Sequence, residues 1–131
     1  MIGRLGTLVG GGRSFSFSLL TSRMAPKLLG STEREGELQA LLGQGWQMGD
    51  RQDPGRDAIT KEYEFTDFVA AFGFMTRVAL KAESFGHHPE WFNVYNRVRV
   101  TWSTHDCAGL SKNDLAMANY CDSTAGEIRP Q

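Results

Sequence analysis

Apolar residues recur along this chain with two different periods, and the change from one period to the other outlines the fold. Spacing of three and four residues marks the helical segments 31–42, 67–85 and 112–122. Alternation with a period of two marks the strand segments 46–48, 58–65, 91–95 and 98–102. The order helix, strand, strand, helix, strand, strand, helix predicts an α+β fold, with three helices on one face of a four-stranded antiparallel sheet.

Residues at the predicted helix ends support these assignments. Thr32 and Glu35 have the spacing of a capping box at the start of the first helix, as do Ser111 and Asp114 at the start of the last. Gly86 is predicted to end the middle helix, because glycine adopts the left-handed conformation that follows a last helical turn.

The middle helix, which Thr66 or Asp67 is predicted to cap, carries more apolar residues than one buried face requires. One stripe at helical spacing comprises Phe68, Ala71, Phe72, Met75, Val78, Ala79 and Ala82. A second set lies outside this stripe and comprises Val69, Phe74, Leu80 and Phe85. We therefore expect the first stripe to face the core and the second set, with Phe74, to contact another subunit.

The last two strands predict a hairpin with Asn96-Arg97 as its turn, because Asn tolerates the left-handed conformation of a tight turn. In that register Trp91 opposes Trp102 and His88 opposes His105, with directly opposed Cβ atoms roughly 4.5–5.5 Å apart. Two imidazoles would then meet at the open end of the hairpin.

Two neighbouring imidazoles are suited to general acid–base chemistry, since histidine has an ordinary pKa of about 6.5 and carries either proton state near neutral pH. The His87-His88-Pro89 corner supplies two of the histidines and His105 the third. The alternative is that these are hydrogen-bonded surface histidines, and the spacing alone leaves both interpretations open.

The same residues resemble the pterin-4a-carbinolamine dehydratases, also known as dimerisation cofactors of a homeodomain transcription factor, and the likeness is closest to animal members. The matching positions are Glu83, His87-His88-Pro89, Tyr95, His105 and Asp114. Longer shared runs are AFGFMTRVAL at 71–80, HHPEWFNVYN at 87–96 and STHDCAGLS at 103–111. The resemblance covers roughly residues 31–120.

The resemblance implies a hydro-lyase that dehydrates 4a-hydroxytetrahydropterin, in particular 4a-hydroxytetrahydrobiopterin, to quinonoid dihydropterin. This reaction recycles the cofactor of aromatic amino acid hydroxylases and needs no metal, nucleotide or redox cofactor. A homodimer that pairs into a homotetramer is implied as well. A transcription-factor dimerisation domain is the second partner that the family suggests.

Roles for the site residues follow from the resemblance. His87 and His105 are expected to be the acid–base pair, and His88 is expected to bind and orient the pterin with support from Glu83 and Asp114. Which imidazole is the acid and which is the base stays open. The residues expected to contact the substrate are Gly86, His87, His88, Ser103, Thr104, His105 and Asp106.

Two other classes of function are compatible with the same residues. The first is a binding module that stabilises the dimerisation helices of a transcription factor through the second face of the middle helix. The second is a metalloenzyme with His87, His88 and His105 as ligands and an open fourth position. Adjacent histidines rarely reach one ion together, which disfavours the metal site.

Composition narrows the possibilities further. The chain has 131 residues, a formal net charge of −1 and a pI of about 6.3, so a surface that tracks nucleic-acid phosphates is not expected. No apolar run is long enough to span a membrane. Cys107 and Cys121 are too few for a disulfide framework and lack metal-ligand spacing. The charged loop 49–57 is interpreted as a solvated turn rather than a divalent-metal loop.

Residues 1–30 differ from the domain predicted over 31–122 and from the flexible tail predicted over 123–131. Basic residues and serines are frequent there, and the first acidic residue is Glu33. This composition predicts a mitochondrial targeting segment, whereas a start at Met24 would give a cytoplasmic or nuclear form. A fluorescent reporter fused to residues 1–30 should enter mitochondria, and a diffuse cytosolic signal would leave a disordered tail or a start at Met24 as the better account.

Overall fold

The computed structural model describes residues 25–129. It contains three helices and a four-stranded antiparallel sheet, which confirms the predicted α+β class and element order. The predicted targeting segment lies outside the described residues apart from residues 25–30, and Met24 also lies outside them.

The helices and strands follow one another with short connections. Helix α1 consists of three consecutive segments: α-helical Ser31–Glu33, π-helical Arg34–Leu38 and α-helical Gln39–Gly43. The other two helices are α2, Phe68–Phe85, and α3, Lys112–Ile128. The strands are β1, Gln47–Met48, β2, Ile59–Glu64, β3, Glu90–Val94, and β4, Arg97–Trp102. A 3-10 turn, His105–Cys107, lies between β4 and α3. The strands are ordered β1-β2-β4-β3 in the sheet.

The core lies between the sheet and the helices. Strand β4 is central and turns Val98, Val100 and Trp102 inward, all fully buried, because side chains alternate along a strand. Ile59 and Tyr63 of β2 are buried with them, beneath residues of all three helices. The two cysteines are free thiols, and burial raises the pKa of Cys121 to about 12.

Helix α2 begins and ends where the sequence predicted. The Asp67 side chain accepts a hydrogen bond of 2.8 Å from the backbone N–H of Ala70, and Gly86 closes the helix with φ 64°. Among the described residues, no helix is long and apolar enough to cross a membrane.

The predicted use of the two faces of α2 was wrong for its phenylalanines, whereas Ala71, Val78 and Ala82 are buried as predicted. Phe74 is fully buried, and its ring lies 4.9 Å from that of Tyr63 and 5.1 Å from that of Phe65. Phe68 and Phe72, which were expected in the core, are exposed. The buried face follows Ala71, Phe74, Val78 and Ala82. Phe74 therefore belongs to the core of its own subunit and is not a subunit contact.

The capping prediction holds for one helix and fails for another. Ser111 and Asp114 form the capping box of α3. Helix α1 instead begins at Ser31, with Gly30 at its cap position and no side-chain cap, so Thr32 and Glu35 lie within the helix.

Helix α3 continues to Ile128, beyond the end predicted at Asp122. Cys121, Thr124 and Ala125 prolong the buried stripe of this helix, so packing stabilises the extra turns. A glycine within a helix costs only about 1 kcal/mol relative to alanine, and Gly126 is therefore accommodated.

The hairpin turn lies one residue earlier than predicted. Tyr95 and Asn96 form the loop, Val94 pairs with Arg97, and Tyr95 rather than Asn96 has positive φ, at 50°. The Asn96 side chain makes a long-range hydrogen bond, in which its Nδ2 donates to the carbonyl of Phe65 at 2.8 Å. Asn96 therefore joins this loop to the end of β2.

The new register changes which residues oppose each other. Trp91 pairs with Val100 rather than with Trp102, and the β3–β4 pairing reaches only as far as Glu90 opposite Thr101. His88 and His105 are therefore not opposed across the hairpin, and both lie beyond its last pair.

Candidate active site

A pocket of about 300 Å³ lies where the end of α2, the start of β3 and the β4–α3 connection meet. All three histidines of the chain line it. The lining residues are Pro26, Arg56, Gly86, His87, His88, Glu90, Ser103, Thr104, His105, Asp106 and Asn113.

The end of α2 sets the position of the first two histidines. Gly86 adopts the left-handed conformation, and the next backbone N–H, that of His87, donates to the carbonyl of Ala82 at 3.0 Å. This bond satisfies a carbonyl of the last helical turn and fixes the His87 backbone to the helix. The chain then leaves the helix as the His87-His88-Pro89 corner.

His87 is the most enclosed of the three imidazoles. Its Nε2 lies 2.6 Å from Oδ1 of Asp114, and only 11% of its side chain is exposed. The Trp102 ring lies beside it, with the ring centroids 5.3 Å apart. The His87 ring is therefore held between an aromatic side chain and a carboxylate.

Asp114 is fully buried, yet its carboxylate is surrounded by donors. It accepts from the backbone N–H of Ser111 at 2.8 Å and from the Thr104 hydroxyl at 2.6 Å, in addition to contacting His87. A carboxylate oxygen accepts hydrogen bonds, so the contact with Oδ1 is made when Nε2 of His87 carries the proton and donates. The Nδ1 atom of His87 is then the nitrogen available for proton exchange.

His88 and Glu83 form a more exposed pair. Nε2 of His88 lies 2.8 Å from Oε1 of Glu83, and the two side chains are 64% and 80% exposed. Glu83 lies on the last turn of α2, so this contact orients His88 from the helix end. Solvent screens the interaction, which makes its contribution to stability small.

His105 reaches the pocket from the β4–α3 connection. Thr104 and Gly109 close this loop by exchanging backbone hydrogen bonds of 2.8 and 3.2 Å, and Ala108 has positive φ, at 57°. The His105 imidazole is exposed and has no hydrogen-bond partner among the described residues. Both of its nitrogens are thus available at the pocket.

Most of the predicted site residues line the pocket, and two contact its histidines from behind. Gly86, His87, His88, Ser103, Thr104, His105 and Asp106 all line the pocket. Glu83 and Asp114 lie behind His88 and His87 respectively and contact them. Thr104, expected to contact substrate, directs its hydroxyl to Asp114.

Four residues that line the pocket were missed in the sequence, namely Pro26, Arg56, Glu90 and Asn113. Glu90 directly follows the His-His-Pro corner, and Asn113 lies between the two residues of a recognised capping box, so their positions could have been noticed. Arg56 gave no such signal, because it is 34 positions from its partner Glu90. The Arg56 guanidinium holds the pKa of Glu90 below its ordinary value.

A larger cavity of about 600 Å³ adjoins this pocket and shares Pro26, Gly86, Asp106 and Asn113 with it. Residues 25–29 line one part of it. The two cavities are therefore neighbours at this end of the sheet.

The metal interpretation finds no support in the geometry. Within residues 25–129, no group of three or more His, Cys, Asp or Glu side chains is arranged to hold a metal ion. His87 and His88 face different carboxylates, Asp114 and Glu83, rather than one common point.

Comparison with known proteins identifies related chains. The family model for pterin 4 alpha carbinolamine dehydratase matches residues 27–124. Proteins named as pterin-4-alpha-carbinolamine dehydratases from Burkholderia multivorans and Burkholderia cenocepacia are 60% and 57% identical over 77 residues, which is 59% of this chain and 76% of each relative. These relatives are bacterial, so the expected closeness to animal members is not confirmed.

Solved structures give the same picture. A transcriptional coactivator/pterin dehydratase from Brucella melitensis has 48% sequence identity and a TM-score of 0.66, over 75% of this chain and 98% of that chain. A pterin dehydratase-like protein, identified as a RuBisCO assembly factor in the alpha-carboxysome, has 23% identity and a TM-score of 0.51, over 63% of this chain and 90% of that chain. The second likeness shows the fold alone.

Proposed function

The chain belongs to the pterin 4-alpha-carbinolamine dehydratase family, and from this premise we propose that it dehydrates 4a-hydroxytetrahydropterin to quinonoid dihydropterin. The observation that carries the proposal is the convergence of His87, His88 and His105 on one pocket, with His87 held by the buried carboxylate of Asp114.

The reaction requires one proton donor and one proton acceptor. The C4a–O bond breaks as the hydroxyl group takes up a proton and leaves as water. The N5–H bond gives its proton to a base, and its electron pair forms the N5–C4a double bond. A general acid and a general base within about 2.6–3.2 Å of these atoms are therefore what the site must supply.

His87 and His105 are assigned as this acid–base pair. Both line the pocket, and each has a ring nitrogen that no other described residue engages: Nδ1 in His87 and both nitrogens in His105. They reach the pocket from different elements, His87 from the end of α2 and His105 from the β4–α3 loop. One imidazole would then serve each of the two reacting atoms in the proposed reaction.

His88 is assigned to binding and orienting the pterin ring, with Glu83 directing it. The polar groups of Ser103 and Asp106 are further contacts for the ring edge. For 4a-hydroxytetrahydrobiopterin, the larger adjoining cavity is the place for the substituent at C6.

The direct test follows the loss of 4a-hydroxytetrahydropterin with and without the purified chain. The hydroxylated pterin can be generated in the same cuvette by an aromatic amino acid hydroxylase. Acceleration over the spontaneous rate supports the proposal, and a rate equal to the spontaneous one would contradict it.

Self-assembly is the second part of the proposal. Strand β3 is an edge strand, so one side of its backbone is unpaired within the sheet and available to a second copy. The outer side of α2 exposes Phe68, Val69, Phe72 and Leu80, with Val69 77% and Leu80 70% exposed. We propose that β3 edges form a dimer and that these α2 faces join two dimers into a tetramer.

The α2 face gives a testable expectation. Leu80→Glu should convert tetramer to dimer, because a carboxylate would have to be desolvated in an apolar contact. Sedimentation velocity measures the change, with Ala40→Glu, an exposed position on α1, as the matched control. A Leu80→Glu protein that stays tetrameric would exclude this face. Phe74→Glu is expected to unfold the subunit instead, since Phe74 is fully buried.

A transcription-factor dimerisation domain is a second candidate partner for the same α2 face. The Brucella melitensis protein is described as a transcriptional coactivator as well as a pterin dehydratase. Because the face is apolar and helical, an amphipathic helix of a partner would fit it in the way that another copy of α2 does. The Leu80→Glu variant would weaken both complexes.

A further inference from the structure

Residues 51–55 of the charged loop 49–57 are exposed, as a solvated turn predicts, but the end of the loop makes specific contacts with the site. Its last two residues, Arg56 and Asp57, are half-buried, and their side chains reach chain segments far away in sequence. Arg56 contacts the segment after the histidine corner, and Asp57 contacts the segment that carries His105.

Arg56 binds Glu90 with both of its terminal nitrogens. Nη1 and Nη2 donate to Oε1 and Oε2 of Glu90 at 2.7 and 2.6 Å, and Nη1 also donates to Asp50 at 2.7 Å. A bidentate arginine–carboxylate pair of this kind fixes the orientation of the two side chains as well as the distance between them. Glu90 is separated from His88 by Pro89 alone, whose ring restricts the backbone between them.

Asp57 holds both ends of the His105 loop. Its carboxylate accepts from the backbone N–H of Leu110 at 3.0 Å, and its backbone carbonyl accepts from the Ser103 hydroxyl at 3.0 Å. Arg34 of α1 fixes the same carboxylate through two bonds of 2.9 and 2.8 Å and lowers its pKa. Ser103 and Leu110 lie on either side of the segment that contains His105.

Gly109 shows how closely the loop is packed against Asp57. A Cβ atom at this position would lie 2.4 Å from Oδ2 of Asp57 and 2.6 Å from Cδ2 of Leu28. The Asp57 carboxylate cannot move aside freely, because Arg34 and the Leu110 N–H hold it. The loop thus has no side chain where it meets Asp57, and this permits the close approach.

We propose that Arg56 and Asp57 are positioning residues of the dehydration site, which together set the separation between the histidine corner and His105. The inference rests on the proposed function. Arg56 positions His88 through Glu90, and Asp57 positions the loop that carries His105. Because Arg56 and Asp57 are adjacent in the chain, a single peptide unit connects these two sets of contacts. A displacement of about 1 Å between reacting groups costs as much as 10²-fold in rate, which makes such a link matter for catalysis.

The kinetic test compares Arg56→Gln with Arg51→Gln, a matched change at an exposed arginine of the same loop. Arg56→Gln is expected to lower kcat by roughly 10- to 100-fold, because His88 remains in the pocket but no longer orients the pterin ring against the acid–base pair. Arg51→Gln is expected to retain the wild-type kcat. Arg56→Lys should restore little of the lost kcat, since an ammonium group cannot form the bidentate pair with Glu90.

The second readout does not depend on activity. The imidazole resonances of the three histidines, measured by NMR in the free protein, are expected to shift selectively. Arg56→Gln should move the His88 signals and Asp57→Asn the His105 signals. His87 should shift less than the named histidine in each variant, because Asp114 contacts it directly.

The outcomes separate the two claims. If the wild-type chain shows no dehydration, the proposed function fails, whereas the imidazole shifts still decide whether Arg56 and Asp57 position the histidines. Unchanged resonances together with the wild-type kcat, measured below the melting temperature of each variant, would overturn the inference. Should Arg56→Gln fail to fold, Glu90→Gln is the substitute variant. It removes the charge of the other member of the Arg56–Glu90 pair and is expected to give the same His88 shift.

Discussion

Replacement of His105 by alanine is expected to lower kcat for dehydration by about 10²–10⁴-fold, the usual effect of losing one general acid–base group. The imidazole lines the pocket and is exposed, with no hydrogen-bond partner in the part of the chain that the structure describes. Its loss should therefore change the chemistry and leave the packing intact. The measurement is the rate of loss of 4a-hydroxytetrahydropterin under saturating substrate.

Stability provides the check on this interpretation. Because an exposed side chain away from the core contributes little, the free energy of unfolding should change by less than about 0.5 kcal/mol in His105→Ala. Asn119→Ala, an exposed position on α3, is the matched control and should leave both kcat and stability near wild type. A His105→Ala protein with the wild-type rate would show that the acid–base pair lies elsewhere in the pocket.

Asp114→Asn is expected to impair both stability and catalysis. The carboxylate is fully buried and accepts from Ser111, Thr104 and His87, whereas an amide presents two donors of its own to these groups. Leaving buried donors unpaired costs about 1–3 kcal/mol each, so the free energy of unfolding should fall by about 3 kcal/mol. Without the carboxylate, His87 also loses the partner that selects its tautomer, and kcat should fall by on the order of 10²-fold.

Urea unfolding and steady-state kinetics at low temperature distinguish the two effects of Asp114→Asn. The kinetic loss should persist under conditions in which the variant is fully folded. Asp106→Asn makes the same chemical change at an exposed carboxylate of the pocket and should leave the unfolding midpoint unchanged. A variant whose kcat recovers completely once it is folded would limit Asp114 to a structural role.

The element order and most helix ends could be read from the sequence, because periodicity and capping are local. Asp67 and Gly86 bound α2 as predicted, and Ser111 caps α3. The rotation of α2 about its own axis could not be read in the same way. Both sides of this helix are apolar, so Phe74 and Phe72 were equally plausible core residues until the sheet beneath them was known.

The hairpin register failed for a related reason. A two-residue loop at 95–96 and one at 96–97 both contain Asn96, and the sequence favours the one in which Asn adopts the left-handed conformation. In the structure Asn96 is instead engaged by Phe65 of the neighbouring strand end, and Tyr95 takes the positive φ. A long-range hydrogen bond thus outweighed a local preference.

The site shows the same division between local and long-range information. The resemblance directed attention to the histidines and their two carboxylates, and the structure brings these residues together at one end of the sheet. Arg56 could not be found, because its contact with Glu90 depends on how the loop 49–57 folds back onto β3. Its neighbouring charges resemble those of any solvated turn.

One carboxylate, that of Asp114, both closes the first turn of α3 and holds His87. Local opening of that turn would therefore release the imidazole, so the fraction of molecules competent for catalysis cannot exceed the fraction in which the helix start is closed. The Ser111 amide proton, bonded to the same carboxylate, exchanges with solvent only when this closure is lost. The protection of this amide against deuterium exchange consequently measures the population of molecules in which the start of α3 is open and His87 is released, without global unfolding.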